Sequence, residues 1–96
     1  MFTRTLLAAA LACALPALAQ DGRSLAATCA SCHGTDGRSA TREVSALAGL
    51  PKSFIVEQMK AFRDGRRSAT IMPQLAKGYS DAQIESIAEY LSAQRK

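Results

Sequence analysis

The chain has 96 residues, with 12 basic and 8 acidic side chains, one histidine, three cysteines and no tryptophan, for a formal net charge of +4. A basic surplus that small does not argue for a nucleic-acid partner, and no RNA- or DNA-binding motif accompanies it. The length suits one domain, and no repeat, low-complexity run or interior linker divides it.

Residues 1–19 read as a secretory signal peptide. Arg4 supplies the positive start, Leu6 to Leu15 is an uncharged apolar run, and Pro16 breaks it before the small-x-small pattern Ala17-Leu18-Ala19. The apolar run falls short of the roughly 20 residues that span a bilayer, so no transmembrane segment is expected after cleavage. A lipoprotein signal with Cys13 as the modified residue competes with this reading. Ala10-Leu11-Ala12 fits it poorly, because leucine is expected one place earlier. The expected product is a periplasmic domain over residues 20–96, cut after Ala19. Losing Arg4 brings its net charge near +3. At fewer than about 80 residues a hydrophobic core rarely supplies more than about 3–5 kcal/mol, and a staple is needed.

The first predicted helix runs from about Gly22 to Cys32, with Leu25 and Cys29 four apart on one face, and Gly34 and Gly37 end it. It carries Cys29-Ala30-Ser31-Cys32-His33. C-x-x-C-H is the attachment site of a c-type haem. Each sulfur forms a thioether to a porphyrin vinyl group, and the histidine is held under the iron as an axial ligand. Two other chemistries use similar residues. A thioredoxin-like dithiol expects a βαβ surround, which is not visible. A structural zinc site wants four ligands, whereas this chain has one histidine and its third cysteine lies in the leader. One covalently held haem c would also serve as the staple, leaving the haem-free chain poorly ordered.

Thr35 to Leu50 is polar and irregular, suited to a loop along the haem edge. A second helix begins near Lys52 or Ser53 after Pro51. Ile55, Met59 and Phe62 form its apolar stripe, and Gly65 stops it with Lys60 and Arg63 in the last turns. Met72 follows in a segment expected to be free of helix, between Gly65 and Gly78, where Pro73 restrains the backbone. Met59, on the stripe, reads as core filling. Met72 is therefore the expected second axial ligand opposite His33. A thioether there raises the potential and closes both axial positions. Lys52, Arg63, Arg66, Arg67 and Lys77 flank this segment. They read either as a ring that steers an acidic partner or as a solvated surface mixed with Glu57 and Asp64.

The third helix has the clearest start, with Ser80 as N-cap, Gln83 completing a capping box, and Tyr79 stapled to Ile84. Ile84, Ile87, Ala88 and Leu91 continue its period. No stretch alternates with a period of two. The expected fold is all-α, three main helices around one covalent haem, the first and last packed together.

With these residues in view, residues 20–96 resemble the class I cytochromes c. Leu25 matches the family's apolar position four residues before the first cysteine, and Tyr90 and Leu91 look like the pair on the last helix that packs against it. Gly22 lies one residue nearer the first cysteine than the family's usual glycine. Ser45, twelve residues after His33, stands where the family commonly has proline. The resemblance implies that the carbonyl there accepts a hydrogen bond from the ligand histidine. Cys-Ala-Ser-Cys-His-Gly, Leu47-Ala48-Gly49 and Phe62-Arg63-Asp64-Gly65-Arg66 are similar to the small soluble bacterial cytochromes c and the halves of dihaem cytochromes. Thr70-Ile71-Met72 and Ala76-Lys77-Gly78-Tyr79-Ser80 are similar to the haem subunit of flavocytochrome c sulfide dehydrogenase.

The implied function is single-electron transfer between redox protein partners, with no catalytic residue of the chain's own. The second similarity adds a flavoprotein subunit that oxidises sulfide and passes electrons to the haem. The alternative is a haem-based ligand sensor or weak peroxidase with a displaceable Met72. Such a site usually needs distal polar groups, for which only Ser68, Thr70 and Gln74 stand nearby.

Overall fold

Every regular element among residues 21–96, which the computed structural model describes, is helical. The expected signal peptide, its cleavage site after Ala19, and Cys13 lie outside the described residues.

Asp21 caps α1 (Gly22–Ala26) by accepting the Ser24 N–H at 2.8 Å. This bond to its charged form holds the Asp21 carboxyl below its ordinary value. The helical run then tightens into a 3-10 turn at Ala27–Cys29 and reopens as α2 (Ala30–His33). The expected first helix is thus continuous but wound unevenly, a detail its apolar spacing does not encode. It stops at Gly34, with φ 84° and ψ 164°. A Cβ there would lie 2.0 Å from the Arg38 carbonyl oxygen, so only glycine fits.

A second 3-10 turn, Thr35–Gly37, opens the long connection to the next helix. Its ends are pinned. The Gly37 carbonyl accepts the Leu47 and Ala48 N–H groups at 2.8 and 3.1 Å, and the Gly49 N–H reaches the Leu91 carbonyl at 2.9 Å. Ala48 is buried, and Leu47 and Leu50 pack on the core. An irregular segment with closed ends behaves as a compact loop rather than a tether.

Helix α3 (Lys52–Asp64) begins directly after Pro51 and ends at Gly65. The Gly65 N–H bonds the Phe62 carbonyl and the Arg66 N–H bonds the Ala61 carbonyl, the Schellman pattern. Ile55, Met59 and Phe62 are buried, as their spacing predicts. The segment expected to be free of helix is corrected at Met72–Ala76, which forms the short helix α4. Pro73 sits in its first turn, where a missing N–H forfeits no helical bond and the fixed φ favours the helix. Proline therefore starts a helix here instead of restraining a loop.

Helix α5 (Asp81–Ser92) carries the full capping box. The Gln83 N–H donates to Ser80 Oγ at 3.2 Å, and the Ser80 N–H donates to Gln83 Oε1 at 2.9 Å. Its buried residues Ile84, Ile87, Ala88 and Leu91 join Leu25 and Ala26 of α1, the α3 stripe and Ala76 of α4 in one core. The first and last helices cross at Gly22, where a Cβ would lie 2.1 Å from the Ser86 carbonyl oxygen and 2.9 Å from Tyr90 Cβ. The displaced glycine still permits the close crossing.

Candidate functional site

The uneven winding of the first helical run places Cys29 at the end of the 3-10 turn and Cys32 and His33 in α2. Cys29 is half-buried, Cys32 exposed, and both thiols are free. Burial pushes the Cys29 thiol above its ordinary value. A nucleophilic dithiol needs the opposite shift, toward thiolate. Among the described residues, no group of three or more histidine, cysteine and acidic side chains could hold a metal ion, so the zinc reading finds no ligand set.

His33 is partly buried, and its Nδ1 lies 2.7 Å from the Ser45 carbonyl oxygen. A carbonyl oxygen can only accept, so Nδ1 carries the proton and donates. In the neutral ring this leaves the lone pair on Nε2. Fixing the tautomer and orienting the ring through its other nitrogen is how proteins prepare a histidine for metal ligation. The acceptor comes from the pinned loop, so the loop's closed ends serve the histidine.

Met72 is the first residue of α4 and is partly buried against the core. Met59 is 8 % exposed within that core, between Ile55 and Phe62, as expected of filling. Around Met72 the chain leaves apolar surface uncovered, with Ile71 57 % and Leu75 46 % exposed. Phe54, at 48 %, completes the set of large exposed hydrophobic side chains among the described residues. Exposed side chains of this kind fit a large apolar group such as a porphyrin; the two free thiols have the chemistry to bond its vinyl groups, and an oriented imidazole and a thioether have the chemistry of haem-iron ligands. Ser68, Thr70 and Gln74 are all solvent-exposed.

The cations that flank this segment are largely partnered. Lys52 pairs with Glu85 at 3.2 Å, Arg63 with Asp81 at 2.6 Å and Asp64 at 3.5 Å, and Arg66 with Glu57 at 2.8 Å and Asp64 at 3.4 Å. Arg67 donates to Gln58 and stacks over the Phe62 ring at 4.6 Å. The reading as a solvated mixed-charge surface fits this arrangement better than an open positive ring.

Two contacts escape sequence inspection. The Thr28 and Tyr79 hydroxyls lie 2.7 Å apart, and the Tyr90 hydroxyl donates to Asp36 Oδ1 at 2.5 Å. Asp36 adopts φ 53°, which aspartate tolerates better than most side chains. The Asp36-Gly37 pair was its only signal in the sequence.

Comparison with known proteins adds four findings. The family model for cytochrome c oxidase, cbb3-type, subunit III matches residues 17–91. Cytochrome c-554(548) of Halomonas halodenitrificans is 38% identical over 76 residues, covering 76% of this chain and 92% of the relative. The cytochrome subunit of sulfide dehydrogenase of Chlorobaculum tepidum is 37% identical over 75 residues, covering 78% of this chain and 67% of the relative. Among solved structures, cytochrome c4 of Acidithiobacillus ferrooxidans superimposes with a TM-score of 0.65 at 38% identity, over 68% of this chain and 37% of that one.

Proposed function

Because the chain belongs to the class I cytochromes c, a family of haem-bearing electron carriers, we propose that it is a periplasmic shuttle of single electrons. Residues 20–96 would form its working domain after removal of the leader 1–19, with one haem c attached to Cys29 and Cys32 and with His33 and Met72 as axial ligands. When bound, haem supplies an iron centre that takes up and returns one electron, its potential set by the axial ligands and their surroundings.

The chain's own residues do the rest. Cys29 and Cys32 provide two anchors on one helical turn. His33 presents Nε2 because the Ser45 carbonyl holds the proton on Nδ1, and that 2.7 Å contact is the observation that carries the proposal. Met72 offers a soft sulfur from the start of α4, and Ile71 and Leu75 beside it contribute apolar surface that lowers water access. His33 and Met72 together would hold the iron and would leave it no open position for a substrate. Donor and acceptor are redox proteins. The sulfide dehydrogenase subunit among the relatives supports a flavoprotein as donor, which co-purification from the source cells tests.

The ligand set is tested by Met72→Ala. Haem should remain attached, the methionine–iron absorption band should vanish, and the reduction potential should fall. The same losses in Met59→Ala, with Met72→Ala unaffected, would reverse the assignment.

A further inference from the structure

We infer that Tyr79 is a positioning residue, its hydroxyl holding the Met72 segment in place against the 3-10 turn that carries Cys29 through a hydrogen bond to Thr28. The direction of the bond follows from counting protons. Thr28 Oγ1 donates its single hydrogen to the Leu25 carbonyl at 2.8 Å. Toward Tyr79, 2.7 Å away, it can therefore only accept, and the phenol donates. The result is a relay from Tyr79 through Thr28 to the backbone of α1, in which each bond polarises the next.

The two ends of this relay are placed for such a role. Thr28 immediately precedes Cys29, so its hydroxyl sits on the turn that holds the haem anchors. Tyr79 closes the unit that Met72 opens. The Gly78 N–H bonds the Leu75 carbonyl at 3.1 Å and the Tyr79 N–H bonds the Ala76 carbonyl at 3.2 Å, so α4 runs into Tyr79 without slack. Ala76, fully buried, fixes the middle of that unit in the core. The Tyr79 ring packs on the core beside it, and Ser80 next begins α5. A phenylalanine at position 79 would keep the ring contact and lose only the tie. The hydroxyl bridges 51 residues of sequence, joining the segment that follows Met72 to the residue that precedes Cys29.

This inference rests on Met72 as an axial ligand. The test is a titration of the oxidised holoprotein with imidazole, which binds iron only when the methionine segment swings away. Tyr79→Phe and Thr28→Val should each tighten the apparent imidazole affinity by about threefold to tenfold, the span of one net hydrogen bond. Thr28→Ser, which keeps a hydroxyl, should restore the parental value. The double variant should exceed neither single one. Parental affinity in both single variants, or effects that add in the double variant, would overturn the inference. Met72→Ala separates the two levels. A methionine–iron band that survives it sinks the ligand assignment and this inference with it. A lost band combined with unchanged imidazole affinity in Tyr79→Phe sinks the inference alone.

Discussion

At the scale of single residues, the site depends on groups held by the chain's own hydrogen bonds. His33 is oriented by a backbone carbonyl, an acceptor that no side-chain substitution at Ser45 removes. Asp36, three residues further on, is held by Tyr90 at 2.5 Å and Arg38 at 3.4 Å. The bond to Asp36, with burial adding to it, raises the Tyr90 hydroxyl above its ordinary value of 10.0. A raised phenol favours the neutral form in the folded state. Its contribution to stability is therefore complete below about pH 10 and is lost as pH climbs through the folded value. Tyr90→Phe should accordingly show a shallower loss of stability than the parent between about pH 9 and pH 11, read as denaturant midpoints by far-ultraviolet circular dichroism. Parallel slopes would remove Tyr90 from the account. In the sequence, a motif marked the cysteines and His33, a periodic stripe marked Met59, and the adjoining Pro73 marked Met72. The sequence hid the Asp36–Tyr90 and Thr28–Tyr79 bonds, which join residues 54 and 51 apart and leave no local pattern.

At the scale of elements, what was legible was what is local. The capping box of α5 and the glycine stop of α3 need only neighbouring residues to form, and both appear as the spacing predicts. The short helix α4 was missed for the converse reason. Five residues cannot display a helical period, and proline signals either a restrained loop or a first helical turn until the packing decides. Ala76, buried against the core, makes that decision. The crossing of α1 over α5 was expected from the resemblance, and the structure locates it at Gly22. Gly22→Ala should destabilise the holoprotein by roughly 1–3 kcal/mol, since the added methyl must push the Ser86 backbone away. The change should also loosen the link between the last helix and the haem-bearing turn. An unchanged melting temperature would mean that the two helices part without cost.

At the scale of the molecule, the described residues leave three large hydrophobic side chains exposed, while Lys52, Arg63 and Arg66 are held in ion pairs. Exposed ion pairs of this kind contribute little to stability, so they do not replace a missing core. Phe54, Ile71 and Leu75 are exposed apolar side chains of the kind that a porphyrin, the group the family implies, would cover. Family membership places covalent haem at the centre of this description, and the most direct test is an absorption spectrum of the exported protein, reduced and oxidised, repeated in pyridine under denaturing conditions. A sharp reduced α-band that stays with the unfolded polypeptide, and is lost when Cys29 and Cys32 are both changed to alanine, is the predicted result. A folded protein without colour, or a haem that washes away on denaturation, would contradict the account and return the two cysteines to thiol chemistry.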